Sequence, residues 1–384
     1  MIKKKKVTMD DIASQLGISK NSVSVALNGK YGVSEDLRKQ ILSTANQLQY
    51  GVYAHQFAES GCQYVVIITP EYIGYDTFFY DEIIWAIENE TQKQNCIPMK
   101  YIISRQVESD LEPPSLRVPL NTCRFLVIGI LSEKYMRLLC DLGMPIISVD
   151  ISYSHFPIGY VGTSNFEGGF LATEYLISQN HKKIGFIGPV FTAESVYERW
   201  NGFQKALIKA KLEINEDFCI IGEDKSEDEG LVLFNTVESI EGYLDKLAGG
   251  DPPTDARLSA SDTPSNAQPS AGDPPSAWFC GSESPSAWFC GGDRTAVALL
   301  NYLTKKGVKV PEDVSIMGFD DIPIAQMVMP QLTTMKVDRK QMGKLAVQYL
   351  LGNHFLSTLD ISITLSSNLV IRDSVRNNVD TPAP

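Results

Sequence analysis

Two sets of residues in this 384-residue chain have types and spacings that could do chemistry. The first is Lys20, Asn21, Ser22 and Ser24, polar groups gathered in a helical pattern, Lys20 to Leu27, whose Val23, Ala26 and Leu27 turn to the opposite face. Ammonium, amide and hydroxyl groups of that size match base edges and phosphate oxygens. The second set is Asp150, Arg199 and Asp293. Asp150 closes the apolar run PIISVD, Asp293 follows FCGG, and Arg199 stands where a helical pattern opens after a loop. Carboxylates and a guanidinium that converge on one cleft can hold paired hydroxyls in bidentate fashion.

The first set is positioned by three short helices. Thr8 can cap the first, with Asp11 three residues on completing a capping box, and Ile12, Ala13 and Leu16 share one face. Gly17 permits a tight turn, and Ser19 can cap the helix from Lys20 to Leu27. Asn28 and Gly29 supply a stop, Ser34 a third N-cap, and Leu37, Ile41, Ala45 and Leu48 close a small core at helical spacing. Such a piece could be three helices of some larger domain. Caps, turn and polar face agree better with a helix-turn-helix that reads DNA.

Charge supports this reading. Residues 1–50 hold eight lysines and arginines against four acids, a net +4, whereas the whole chain is −12, which leaves −16 on residues 51–384. A basic head on an acidic body lets the head alone approach a polyanion.

The second set needs a different scaffold. Beyond residue 61, the runs at 64–69, 96–103, 124–131, 145–150, 183–188 and 315–320 read as strands buried on both faces. Helical patterns at 81–94, 133–142, 168–179, 200–211 and 295–306 alternate with them. This predicts an α/β body with parallel sheet, in which ligands bind beyond the carboxyl ends of the strands. Residues 249–284 are rich in Pro, Ser, Ala, Gly and Asp and carry one copy of a repeated SAWFCG. They are expected to be a disordered insertion, with Trp288–Gly291 of the second copy forming the strand before Asp293.

Composition removes several function classes. No apolar run approaches membrane-spanning length and no export signal is read at the N-terminus, so a cytoplasmic protein is expected. Seven scattered cysteines without a C-x-x-C pair suggest reduced thiols. The four histidines are dispersed and no Walker or G-x-S-x-G motif appears, so no catalysis, metal or cofactor is expected. A solute-binding protein or a sugar-metabolism enzyme with an appended nucleic-acid-binding head is the alternative.

The segment from Val7 to Tyr50 resembles the DNA-binding headpiece of the lactose-repressor family of bacterial transcription regulators. IGFIGP (184–189), ERWNGFQKAL (198–207), the segment 291–321, PQLTTMKVDRKQMGKLAVQYLL (330–351) and LVIRDS (369–374) resemble its effector domain, in the same order. The resemblance implies a head (1–50), a hinge (51–61) and a body (62–376) of two type I periplasmic-binding-protein-like lobes, followed by a tail (377–384). Residues 62–161 with 322–350 would form one lobe and 163–320 with 351–376 the other. It implies a repressor that binds a pseudo-palindromic double-stranded DNA operator under control of a small effector, a sugar. Effector contacts carry over onto Asp150, Arg199 and Asp293, and onto Asp76 and Phe79 in the DTFF loop, where Phe79 would offer a stacking face. Asp293 could instead cap the helix it opens. DNA contacts are expected from Thr8, Ser19, Lys20, Asn21, Ser22, Ser24, Asn28, Ser34 and Tyr50.

Three positions depart from the family pattern. Val25 stands where an Arg or Lys is usual. The hinge YGVYAHQFAES lacks the usual Pro and Leu, which leaves Phe57 as the minor-groove wedge or as a residue of the dimer seam. Ser164 replaces a frequent Asp at the lobe junction. The tail RDSVRNNVDTPAP has no apolar heptads, which predicts a homodimer rather than a tetramer.

Overall fold

The computed structural model describes residues 8–27, 32–34, 37–38, 40–41, 44, 64–75, 77–153, 155–191, 193–220, 240, 284–352 and 361–378. In the head, helix α1 (Met9–Leu16) starts with the expected capping box: the Thr8 hydroxyl accepts from the Asp11 amide, and the Asp11 carboxylate accepts from the Thr8 amide at 2.6 Å. Gly17 ends the helix at φ +65°, a left-handed conformation that costs glycine little. Helix α2 (Lys20–Leu27) follows at once, with Ser19 accepting from the Ser22 amide at 3.0 Å. Ser34 accepts from the Leu37 amide, and the backbone is helical at 37–38, 40–41 and 44. Ile12, Ala13, Val23, Ala26 and Ile41 make the small core. Asn28, Tyr50, Phe57 and the expected hinge at 51–61 lie outside the described residues.

Strands β1 (Tyr64–Pro70), β2 (Ile97–Ile103), β3 (Cys123–Ile128), β4 (Ile146–Val149) and β5 (Gly159–Thr163) build the first sheet with helices α3 (Thr77–Lys93), α4 (Arg105–Ser109) and α5 (Glu133–Asp141). The second lobe holds α6 (Asn165–Ser178), β6 (Ile184–Ile187), α7 (Glu194–Ala210), β7 (Cys219–Ile220), β8 (Ala287–Cys290), α8 (Asp293–Lys305), β9 (Ser315–Asp320), α9 (Ile324–Met327) and β10 (Thr333–Lys336). The chain then returns through α10 (Arg339–Leu351) to β11 (Ser362–Leu365) and ends on β12 (Asn368–Val370). The sheets run β11-β5-β4-β3-β1-β2 and β12-β10-β9-β8-β6-β7. Among the described residues all pairings are parallel except β10 with β12.

The lobe boundaries differ from those expected. The chain was expected to leave the second lobe after Asp320, where the backbone turns through φ +108° at Asp320 and +51° at Asp321. Instead β10 comes back to pair with β9, from Thr333 against Met317 to Lys336 against Asp320, so the crossing lies between Lys336 and Arg339. Residues 351–376 are likewise shared: β11 adds to β5 in the first sheet and only β12 belongs to the second. Both departures arise because a short strand's partner is fixed by ladder bonds to distant residues, not by its own pattern.

Two smaller corrections concern burial and helix starts. β2 is an edge strand, not one buried on both faces, and it leaves Ile97 and Ile102 more than half exposed. α7 begins six residues before the expected Trp200, so Arg199 sits inside the helix and not at its mouth. Of the two SAWFCG copies, the second supplies β8, between β6 and β9. Residues 249–283 and the first copy lie outside the described residues, among which no helix is long and apolar enough to cross a membrane.

Candidate DNA-reading face and interlobe cleft

On the head, Asn21 is exposed and Ser22 and Ser24 are half-buried along α2. Ser22 shares a 2.8 Å hydrogen bond with Ser19. Lys20, the first residue of α2, donates to the Asp10 carboxylate of α1 at 2.7 Å, with both side chains largely in solvent. The hydroxyls of Thr8, Ser19 and Ser34 are held as helix caps, which fixes three helix starts at the surface. Arg38 ties the third helical segment to α2 by donating to the Ala26 carbonyl at 2.9 Å.

In the body, polar groups gather at the carboxyl ends of the strands. Asp150 follows β4 at φ +73° and is nearly buried; its carboxylate accepts from the Tyr80 hydroxyl at 3.2 Å, and its carbonyl accepts from the Tyr160 hydroxyl at 3.4 Å. Tyr160 belongs to β5, beside β4, which is why the two meet. Burial foremost pushes the Tyr160 phenol up, the negative charges of Asp150 and Glu198 add to this, and Arg199 opposes it.

Arg199 is the centre of the second lobe's share. It is 4% exposed; its Nε donates to Asn165 at 2.9 Å, one Nη to the Gly291 carbonyl at 2.6 Å, and the other pairs with the Asp320 carboxylate at 3.1 Å. The guanidinium carbon rests 3.8 Å from the centroid of the Phe319 ring. Helices α6 and α7 approach so closely here that a methyl group at Gly169 would strike the Arg199 carbonyl. That approach places Asn165, the first residue of α6, beside the guanidinium. Ser164, at the N-cap of α6, makes no side-chain cap bond.

Asp293 behaves differently from both readings of the sequence. It is fully buried: one oxygen accepts from the Thr334 hydroxyl at 2.6 Å and the other from the Ile322 amide at 2.9 Å. Gly292, not Asp293, is the N-cap of the helix, and the Asp293 carboxylate is bonded to Thr334 and Ile322 instead. Burial first, then the charge of Asp320, pushes its carboxyl well above the ordinary range. Phe79 is nearly buried, as Asp150 and Arg199 are: Tyr80 meets it edge-on at 5.0 Å and the Arg339 guanidinium lies 5.7 Å from its ring centroid. Asp76 lies outside the described residues.

The sequence reading missed Tyr80, Tyr160, Asn165 and Asp320 as site residues. Asp320 alone carried a signal, because it ends a strand as Asp150 follows one. The others reach the site through helix packing and strand order. Among the described residues, no cluster of His, Cys, Asp and Glu could hold a metal ion.

Comparison with known proteins fits both regions. The model for bacterial regulatory proteins of the lacI family matches residues 8–51, and that for the periplasmic binding protein-like domain matches residues 173–375. The HTH-type transcriptional repressor PurR of Haemophilus influenzae is 28% identical over 392 residues, covering 96% of this chain and 99% of that protein. In structure, a complex of the transcriptional regulator CelR with cellobiose aligns with a TM-score of 0.62 at 19% identity, over 96% of this chain and 99% of the other. The lac repressor dimer bound to operator and the anti-inducer ONPF aligns with a TM-score of 0.60 at 19% identity, over 97% and 100%.

Proposed function

The chain belongs to the lacI family of bacterial regulatory proteins as a DNA-binding transcriptional repressor, and on that premise we propose that a sugar in the cleft between its lobes sets its affinity for a pseudo-palindromic operator, read by a homodimer. The observation that carries this reading is the clustering of nearly buried polar groups at strand ends of both sheets: Asp150 with Tyr80 and Tyr160 after β4, and Arg199 with Asn165, the Gly291 carbonyl and Asp320 at the ends of β8 and β9. A carboxylate, phenols and a guanidinium at facing strand ends offer both acceptors and donors, which a polyol needs and an apolar ligand does not. The likeness of fold to a cellobiose-bound regulator supports the ligand class, and the likeness to a dimer on its operator supports the assembly. Asp150 and Arg199 are assigned as direct contacts. Asp293, held by Thr334 and Ile322, is assigned to the wall behind them.

On the DNA side, Asn21, Ser22 and Ser24 are assigned to base edges, and Lys20 with the capped helix starts at Thr8, Ser19 and Ser34 to the phosphate backbone. Asn28, Tyr50 and the wedge Phe57 complete this assignment. No catalysis or cofactor is invoked.

A panel of mono- and disaccharides, including cellobiose and ribose, alongside nucleobases, tests the ligand class by thermal shift and by operator gel shift. A sugar should raise the melting temperature and change operator affinity by about 5- to 150-fold, the usual range of such coupling. The same sugar should do neither with Arg199→Lys, which keeps the charge but loses the planar fork. A response confined to nucleobases would overturn the sugar assignment, and a tetramer by sedimentation velocity would overturn the dimer.

A further inference from the structure

Asp320 and Asp321 both have positive φ, +108° and +51°, conformations that non-glycine residues hold only when their surroundings enforce them. Three arginines do the enforcing. Arg199 pairs with the Asp320 carboxylate at 3.1 Å and Arg372 with the Asp321 carboxylate at 2.5 Å. Arg339 takes the two carbonyls, with Nη1 donating to Asp320 and Nη2 to Asp321 at 3.1 Å.

Arg339 belongs to the other lobe. It is the first residue of α10, which lies along α3 so tightly that a methyl group at Gly343 would strike the Ile83 carbonyl. Its Nε donates to Glu82 of α3 at 2.8 Å, and Phe79 of the same helix lies beneath its guanidinium. Although burial pushes the Glu82 carboxyl up, the charges and hydrogen bonds of Arg339 and Lys340 bring it below the ordinary range, so it is a carboxylate at neutral pH. One side chain, 6% exposed, thus joins α3 of the first lobe to the strained end of β9 in the second. The peptide it grips is the one whose side chain holds Arg199.

We propose that Arg339, braced by Glu82, is the positioning residue that passes the state of the cleft to the first lobe, the lobe joined in sequence to the head. A ligand that draws Arg199 away from Asp320 would loosen the bend at 320–321. The carbonyls would then shift against Arg339, whose fork is anchored on α3. Because packed interfaces are bistable rather than elastic, a small displacement at β9 becomes a rotation of α3 and α10 together. The inference rests on the interlobe effector reading only for the direction of the signal; the strut itself is made by this chain's own residues.

Full-length protein tests it without any effector. Dyes attached through noncanonical amino acids at Lys134 in the first lobe and Lys309 in the second, both exposed, report lobe separation by single-molecule energy transfer. A duplex enriched from random DNA on the wild-type protein reports the head. Arg339→Gln should broaden the transfer distribution and change affinity for that duplex by at least about fivefold, the low end of typical couplings. Glu82→Gln should move both readings the same way by less, and Arg339→Lys, which can serve only part of the fork, should fall between wild type and Arg339→Gln. Should Arg339→Gln not fold, Glu82→Gln decides, since that side chain is part-exposed and its amide fills the same space. Wild-type readings in both variants overturn the inference. A broadened distribution with unchanged DNA affinity overturns it too, because the lobes would then move without the head responding. Lack of response to any sugar would sink the ligand assignment and leave both measurements standing.

Discussion

The head and the strand ends of the body use the same kinds of polar side chain in opposite ways. On the head, Thr8, Ser19 and Ser34 each bond within three residues in sequence, and Asn21 and Lys20 stand in solvent. At the strand ends of the body, Asp150 meets Tyr80 seventy residues away, Arg199 meets Gly291 at a separation of 92, and both are nearly buried. A surface that must exchange water for phosphates and bases profits from groups whose contacts are exposed and cheap to give up. A cleft that must discriminate a small molecule needs groups fixed by their neighbours, since each misplaced buried donor or acceptor costs about 1–3 kcal/mol.

The sharpest way to break this contrast is to remove a polar group from each side and compare stability. Arg199→Ala strands Asp320 and Asn165 in the interior and should destabilise the body by about 3–5 kcal/mol, seen as a lowered melting temperature. A loss below about 1 kcal/mol would show that the cluster is wetter than its burial implies.

Next in size is a pH effect that belongs to the body alone. His181 is fully buried, with its ring nitrogens bonded to Ser286 at 2.9 Å and to the Arg376 carbonyl at 3.2 Å, and burial brings its pKa down to about 4. The folded value lies below the unfolded one, about 6.5, so the unfolded chain binds the extra proton between them. Stability from this site is complete above about pH 6.5 and is lost as pH falls toward the folded value, up to about 3 kcal/mol in all. Thermal melts across that range should show the loss, and His181→Gln should flatten it. His155, by contrast, is exposed.

On the head the expected order reverses, with binding changed and stability spared. Asn21→Ala should cost about 1–3 kcal/mol of specific operator binding while random duplex is bound as before. Equal losses on both duplexes would move Asn21 from base edges to phosphates. The smallest effect is expected at Asp10, which neutralises Lys20 in the free head. Asp10→Asn should strengthen binding to any duplex by a few-fold at most and leave the slope of log affinity against log salt unaltered, because Lys20 leaves Asp10 for a phosphate in the wild type as well, with melting temperature unchanged within experimental scatter because exposed pairs contribute little. A slope steeper by about 0.9, one more counterion released, would mean that Lys20 stays on Asp10 in the wild-type complex.

Legibility in the sequence follows the same division. The capping box at Thr8, the turn at Gly17, the cap at Ser34 and the inward Ile12, Val23, Ala26 and Ile41 were all readable, because each rests on contacts at short helical or capping spacings. The α/β alternation, the second SAWFCG copy as the strand before Asp293, and Asp150 at a strand end were readable from apolar runs and the residues that stop them. By itself, then, the amino-acid order determined a helix-turn-helix head on a parallel-sheet body. Tertiary structure alone decided the rest: that β10 stays in the second lobe, that Asp293 and Phe79 turn inward, and that Tyr160, Asn165, Asp320 and Arg339 converge. Short-range pattern encodes which face of an element is apolar, and that is enough to fold the element. Which polar groups meet at the ends of strands depends on sheet order and on how closely helices cross, and those are set by contacts dozens of residues apart.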